Sequence, residues 1–332
     1  MSPLTTRLDK NIPETDLWQR IFGTERFLTW SFWLSLILFV GTIVLSIFDS
    51  RLVTGAPVWV KPMKFAISIT LYTGTLAWLL SYVEGHPRLV RWIGGLTALG
   101  FLVEIIGIFV QAARGVPSHF NVGTPFDAVI FSLMGTFVLV IWVMNIATAV
   151  LLMRQKMDNR PFAWALRLGL LITAVGAILG FLMTTPTADQ LAAMETGEML
   201  SIVGAHSVGV EDGGAGLPFV GWSTEGGDIR PAHFVGLHAL QLIPLLGIFV
   251  NRRFRTRLSE GRRTALVAIG GVGYLGVVLL LLWQALRAQP LIAPDGLTLA
   301  VLAGLVAVVS VAGTAVARQV GPAVSADAIS GI

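Results

Sequence analysis

Ionisable side chains fall inside several long apolar segments of this sequence. Glu104 lies deep in one segment, and His233 and His238 lie in the first half of another. A charged group in such a segment is costly and by default marks a functional site, since it must face protein or water. Glu104 therefore predicts a general base or proton relay, with an ion partner, a bound proton or a hydrogen-bond network around it.

The histidines are candidate ligands for haem b or a transition-metal ion. His233 and His238 are five residues apart, which places them about 140° apart around a helix, so they cannot grip one ion unaided. His119, in a predicted turn, would have to complete the set from a separate element. Hydrogen-bonded core histidines are the alternative interpretation. His206, in a long loop, is expected to be solvated.

A polar stripe occupies one face of another segment. Lys61, Lys64, Ser68 and Tyr72 are spaced by three, four and four residues, which is the period of one helical face. The lysines would bind an anionic group such as a lipid phosphate or carboxylate, and Tyr72 would act beside Glu104 in catalysis. Both lysines could instead extend to lipid phosphates at the membrane surface, but Ser68 and Tyr72 continue the stripe deeper.

Further predicted substrate-binding side chains lie toward the same ends of their segments. These are Gln111, Arg114, Asn121, Arg230 and Gln241. Asp127 follows Thr124 and Pro125 in the pattern of a helix start, so we expect a cap there rather than a catalyst. The opposite halves hold few polar residues, among them Thr97, Asn145 and Thr173. This asymmetry predicts a one-sided site rather than a continuous pore.

The elements that must position these residues are transmembrane helices. Of the 332 residues, 55% are hydrophobic and 13% are charged, about half the charged share of a soluble domain. The apolar segments are long enough to cross a hydrocarbon core of ~30 Å. We therefore predict an all-α, polytopic bundle of eight helices. The predicted spans are 28–48, 58–82, 92–111, 126–150, 163–183, 232–250, 264–286 and 297–317.

The basic residues predict the orientation of the bundle. Most of the 23 Lys and Arg fall in alternate connections and near the termini, and the positive-inside rule then places both termini in the cytoplasm and the chain in the cell membrane. Residues 1–27 would form a cytoplasmic segment with an interfacial helix around Leu17, Trp18, Ile21 and Phe22. Residues 28–318 would form the transmembrane domain, and 319–332 a cytoplasmic tail. The basic residues therefore indicate topology rather than a nucleic-acid partner.

One predicted extracytoplasmic connection, residues 184–231, is much longer than the others. It is acidic and rich in glycine, and we interpret it as a lid because Phe219 and Trp222 could anchor it to the helices. The stretch 189–202 could form a short helix.

These features favour one function over two others. The sequence has no cysteine, which excludes thiol catalysis and disulfides. The leading prediction is a membrane-embedded metal- or haem-dependent enzyme, redox or hydrolytic, that acts on a small or lipid-like, anionic substrate at the outer leaflet. A transporter of a small anion or proton-coupled solute is the first alternative, and a non-catalytic subunit of a larger complex is the second. The oligomeric state stays open.

Overall fold

The computed structural model describes residues 14–318. The predicted tail 319–332 and the first thirteen residues lie outside this range. The first helix, α1 (Glu14–Thr24), overlaps the predicted interfacial helix. Its Phe22 ring packs against Phe32 and Trp33 of the next helix, with ring centroids 5.2 and 5.6 Å away.

Eight helices are long and apolar enough to cross a membrane, which confirms the predicted all-α bundle. Each one overlaps a predicted span. They are α2 (Arg26–Phe48), α3 (Val60–Leu80), α4 (Pro87–Arg114), α5 (Pro125–Arg154), α6 (Arg160–Leu182), α8 (Arg230–Phe254), α9 (Glu260–Leu286) and α10 (Gly296–Arg318). The integral membrane class follows from these helices.

Helix starts follow local sequence signals. Thr124 caps α5 by accepting a hydrogen bond from the backbone N–H of Asp127, and Asn159 caps α6 by accepting one from the N–H of Phe162. Proline occupies the first turn of α4, α5, α6 and α8, where its missing N–H costs no helical bond. The connections between most consecutive helices are short, so neighbouring helices run antiparallel.

Glycines set the closest helix contacts. A Cβ on Gly176 of α6 would lie 2.5 Å from the Cα of Gly236 on α8, so the two backbones touch there, as expected for a small-residue interface. Between α4 and α5, Gly100 faces Ile141 and Gly107 faces Met134. The helix α9 packs on α6 and α8, and α10 packs on α9.

The long connection between α6 and α8 folds over one end of the bundle, which we call the loop end. It contains the short helix α7 (Ala188–Glu195), which overlaps the predicted stretch 189–202. Before it in the chain, the strands β1 (Leu52–Val53) and β2 (Ala56–Pro57) form a small hairpin between α2 and α3. Within the long connection, β3 (Ser207–Val208) pairs antiparallel with β4 (Gly227–Asp228).

The two predicted aromatic anchors of this connection behave differently. Trp222 packs against Phe234 of α8, with ring centroids 5.8 Å apart. Phe219 is 84% exposed, so the prediction that it docks onto the helices is wrong. The backbone of Phe219 turns with a positive φ of 68°. At this turn the Phe219 ring is exposed, whereas the Trp222 ring packs against Phe234.

Candidate functional site

A buried carboxylate–histidine pair lies at the centre of the candidate site. His119 Nε2 is 3.2 Å from Glu104 Oε1, and the glutamate side chain is 4% exposed. Glu104 lies on α4, about 15 Å from its loop end at about 1.5 Å per residue, and His119 descends to it from the α4–α5 connection. The second carboxylate oxygen, Oε2, is buried without a hydrogen-bond partner among the described residues. His119 therefore holds one carboxylate oxygen of Glu104, and the other oxygen is without a hydrogen-bond partner among the described residues.

The imidazole of His119 is held from both sides. Its Nδ1 is 3.1 Å from Ser118 Oγ, and its ring lies 5.6 Å from the Phe65 ring of α3 and 6.3 Å from the Phe131 ring of α5. Burial, followed by the positive charge of Lys61, lowers the pKa of His119, although Glu104 opposes this shift. A neutral ring with its proton on Nε2 would donate to Glu104 and accept from Ser118.

Lys61 brings a positive charge to this pair. Glu104 is the main attractive charge acting on its ammonium, while Lys64 and Arg230 repel it. Lys61 is half-buried, and within the described residues its ammonium has no hydrogen-bond partner. An unpaired ammonium beside a carboxylate can hold an anionic group near Glu104.

Lys64 and Arg230 bind the long connection. Lys64 Nζ donates to the carbonyl of Val220 at 3.1 Å, and Arg230 Nη2 donates to the carbonyl of Gly221 at 2.6 Å. Arg230 also forms an ion pair with the fully buried Asp228 carboxylate, at 2.6 Å. Two of the predicted substrate-binding cations, Lys64 and Arg230, thus anchor the long connection, and Arg230 already has an acidic partner.

A second histidine–carboxylate pair lies within the long connection. His206 Nδ1 is 2.7 Å from Asp212 Oδ2, and the His206 ring packs 4.8 Å from Phe120. Burial lowers the pKa of His206 to about 4, and hydrogen bonds from His206 and from the N–H of Ser207 lower the pKa of Asp212. The expectation that His206 is solvated is therefore wrong, because the loop folds back onto Phe120.

Gln111 and Arg114 form a separate cluster at the end of α4. Both donate to Asp127 Oδ1, Gln111 at 2.7 Å, while the hydroxyl of Thr124 donates to the other carboxylate oxygen at 2.6 Å. Asp127 thus belongs to the helix cap, as predicted. It also joins α4 to α5. Asn121 braces its own turn, since its amide donates to the carbonyl of Pro117 and accepts from the N–H of Gly123.

The other predicted site residues contact different elements. Tyr72 accepts a hydrogen bond from the Asn145 amide at 3.3 Å, and His233 Nδ1 is 2.7 Å from the Gly176 carbonyl of α6. His238 Nδ1 is 3.2 Å from Gln241 Oε1, and Gln241 in turn donates to Thr75 at 3.2 Å. Ser68 is half-buried on α3. None of these residues is bonded to Glu104 within residues 14–318.

The predicted metal ligands are not brought together. His119 is bonded to Glu104, His233 to a backbone carbonyl and His238 to Gln241. Across the part of the chain that the structure describes, no three His, Cys, Asp or Glu side chains form a group that could hold a metal ion. The three histidines thus have separate hydrogen-bond partners and do not form one ligand set within residues 14–318.

Sequence reasoning missed the His206–Asp212 pair and the inner polar atoms. The two residues are six positions apart on either side of a glycine, a weak signal for a closed turn. In the sequence, Thr97 and Asn145 are single polar residues in apolar segments. In the structure, one oxygen of each is buried and has no partner among the described residues.

No protein-family model, curated protein or solved structure matches this chain.

Proposed function

We propose that this protein is an integral membrane enzyme in which Glu104 acts as a general base on a small or lipid-like anionic substrate. The observation that carries the proposal is the Glu104–His119 pair, in which one carboxylate oxygen is held and the other is free. A general base needs a fixed orientation and an oxygen within reach of the proton it removes. His119 fixes the orientation of the Glu104 carboxylate, and Oε2 has no hydrogen-bond partner among the described residues.

Lys61 supports an anionic substrate. Its ammonium lies within the field of Glu104 and has no hydrogen-bond partner among the described residues, so a phosphate or carboxylate could be held next to the base. Such an anion would be covered by the long connection, which Lys64 and Arg230 hold in place. The cover would exclude bulk water and strengthen the charge interactions beneath it.

The boundary between α3 and α8 supports a lipid-like substrate. The ring of Phe234 is 44% exposed there and lies 4.3 Å from the ring of His238. Thr75 and Gln241 join the two helices at this boundary by one hydrogen bond. Polar side chains between loosely joined helices would let an amphiphile enter from the bilayer with its headgroup toward Lys64.

The proposal assigns His119 to positioning Glu104 rather than to metal ligation. The haem and metal interpretations have no assembled ligand set among the described residues to support them. The same proposal places the loop end outside the cytoplasm, and both termini inside, on the distribution of Lys and Arg alone.

The test compares wild-type protein with Glu104→Gln and with the exposed-site control Glu84→Gln, each expressed in the same bacterial host. Untargeted mass spectrometry of total lipids and polar metabolites measures the products. Removal of a general base typically costs about 10²–10⁴ in rate. We expect the abundance of at least one compound to be the same in the wild-type and Glu84→Gln strains and to differ in the Glu104→Gln strain. Identical profiles in all three strains would exclude the enzyme.

A second measurement tests for anion binding at Lys61. Native mass spectrometry of each purified protein, incubated with dioleoyl phosphatidic acid or with inorganic phosphate, should show a bound anion that Lys61→Gln loses. Binding that survives in Lys61→Gln contradicts the proposed anion site. The lipid and the free ion separate the two classes of substrate.

A transporter of a small anion or a proton-coupled solute is the second candidate. It is favoured by buried oxygens of Thr97 and Asn145, which have no partner within residues 14–318 and lie beyond Glu104 from the loop end. Wild-type protein that binds phosphate and moves it across liposome membranes, with no product formed, would select the transporter.

A further inference from the structure

Three polar residues repeat along the buried face of α4. Thr97, Glu104 and Gln111 are seven residues apart, close to two helical turns, so they lie on one face. All three are at least nine-tenths buried. Gln111 is satisfied by Asp127, but Thr97 Oγ1 and Glu104 Oε2 have no partner among the described residues. The polar face therefore continues past Glu104, away from the loop end.

The packing of α5 places a third such atom beside this face. Gly100 faces Ile141 and Gly107 faces Met134, which fixes an antiparallel register between the helices. Extending that register by one turn brings Thr97 to the level of Asn145, whose Oδ1 is also buried without a partner. The amide of Asn145 donates to the hydroxyl of Tyr72 on α3, at 3.3 Å. Three helices thus direct polar groups into one region.

Unpartnered buried polar atoms require an occupant. Each such atom costs about 1–3 kcal/mol if it is left unsatisfied, and internal water is the usual partner in folded proteins. A buried water needs about two to four polar neighbours. Asn145 Oδ1, Thr97 Oγ1 and the Tyr72 hydroxyl supply them at one level. The seven residues from Thr97 to Glu104 span about 10 Å, a gap that about three waters at hydrogen-bond spacing would bridge.

We propose that a file of water molecules runs between α3, α4 and α5 from Glu104 Oε2 to the Thr97–Asn145–Tyr72 group. Its waters donate to Glu104 Oε2 and Asn145 Oδ1 and exchange hydrogen bonds with the hydroxyls of Thr97 and Tyr72. The file adds to the proposed reaction a bound-water site on the side of Glu104 that lies away from the loop end.

Arg167 of α6 closes the far end of this file. Its guanidinium donates to the carbonyls of Leu152 and Gln155, at 3.1 and 2.9 Å, at the end of α5 opposite the loop. Thr148 lies between Asn145 and that end, but its hydroxyl is satisfied by the Met144 carbonyl. The file therefore ends at the Asn145 level, and the positive charge of Arg167 beyond it opposes the passage of cations out of that end of the bundle.

An isosteric substitution tests for the water directly. In Thr97→Val, a hydroxyl bonded to water is lost and the water loses a partner, so we expect the melting temperature in nanodiscs to fall by about 2 °C or more. The matched control is Thr73→Val, because the Thr73 hydroxyl is equally buried but bonds to its own helix at the Ile69 carbonyl. An unchanged or raised melting temperature for Thr97→Val would overturn the proposal, because removing a truly unpartnered hydroxyl relieves a cost.

Hydroxyl-radical footprinting gives a second readout that does not depend on activity or stability. X-ray radiolysis labels side chains next to bound water, so Tyr72 should be labelled in the intact protein and labelled severalfold less in Thr97→Val. Tyr274, whose hydroxyl bonds to the Val235 carbonyl, is the internal reference. Labelling of Tyr72 no higher than that of the buried Phe162 contradicts the file, whatever the result for Glu104→Gln on the proposed reaction.

Discussion

Glu104 and His119 have different tasks, although they share one hydrogen bond. His119 is held between Ser118 and the carboxylate, so it fixes Glu104 Oε1 in place. Glu104 keeps a second oxygen that nothing in residues 14–318 engages. This division allows the carboxylate to accept a proton without losing its orientation, and it gives separate predictions for changes of charge and of shape.

Changing Glu104 to Gln should preserve the fold better than changing it to Leu. Glutamine still offers an oxygen to His119 Nε2, whereas leucine leaves that nitrogen buried without an acceptor. An unsatisfied buried donor costs about 1–3 kcal/mol, so Glu104→Leu should unfold at a lower temperature than Glu104→Gln. Thermal unfolding in the same detergent measures both. Equal melting temperatures would mean that His119 does not depend on this bond.

The pair of His206 and Asp212 predicts that acid loosens the loop. The pKa of His206 is about 4 in the folded protein, below its ordinary value of 6.5, because burial disfavours the charged ring. The folded loop therefore holds the neutral ring, and its contribution to stability is complete above pH 6.5 and is lost as the pH falls toward 4. Arg230 and Lys61 add to this penalty, and Asp212 opposes it.

Hydrogen–deuterium exchange of residues 205–228, corrected for the intrinsic effect of pH, measures this loosening. We expect protection to decrease between pH 6.5 and 4 in the wild type and to change less in His206→Asn. If protection rises as the pH falls, the charged His206 ring stabilises the folded loop. The ion pair with Asp212, rather than burial, would then dominate the pH dependence of the loop.

The long connection is an element with defined attachments. The β3–β4 pair closes it near α8, the isolated bridge between Asn121 and Ile202 joins it to the α4–α5 turn, and Lys64 holds it to α3. These attachments come from three sides of the loop end. The connection is therefore a folded element attached to the loop end, as the proposed role in excluding water requires.

Two aromatic substitutions test how this cover is attached. Trp222 packs on Phe234, whereas Phe219 is 84% exposed. Trp222→Ala should therefore increase deuterium exchange in residues 215–226, because it removes buried aromatic contact, and Phe219→Ala should leave exchange close to wild type. A stronger effect of Phe219→Ala would show that the exposed ring anchors the cover elsewhere, for instance in the bilayer.

The interface of α6 and α8 should tolerate no added side chain at its closest point. A Cβ on Gly236 would lie 2.5 Å from the Cα of Gly176, so Gly236→Ala must separate the helices, and such overpacking costs about 1–3 kcal/mol. Gly135→Ala on α5 is the control, because nothing lies within 4 Å of its added Cβ. Thermal unfolding should show a loss for Gly236→Ala and none for the control. A neutral Gly236→Ala would mean that this interface adjusts freely.

Within residues 14–318, eight helices of membrane-spanning length run antiparallel to their neighbours, with the candidate polar site toward one end. The orientation of the whole molecule in the membrane is a prediction from charge. Reporter fusions after Arg257 should be active on the cytoplasmic side, and fusions near Gly214 on the opposite side, because the Arg-rich α8–α9 connection resists export. Two fusions that report the same side across one helix would contradict the eight-span topology.

The helical bundle follows from local features of the sequence. Long apolar segments must satisfy their backbone groups internally in a membrane, which leaves helices as the local solution, so the eight spans could be predicted segment by segment. The cap at Thr124 and the short helix α7 are equally local, since each depends on a few neighbouring residues. That Glu104 would have a partner was also predictable, because an acidic residue at that depth needs one wherever the helices pack.

Which of these side chains contact one another depends on the tertiary packing. The rotation of α4 and the path of its turn bring His119, rather than His233 or His238, to Glu104. The fold of the long connection closes the His206–Asp212 pair and leaves Phe219 exposed. The register of α4 against α5 sets Thr97 level with Asn145. Such contacts depend on helix rotation, depth and loop path together, and these are fixed by packing between segments that lie far apart in the chain.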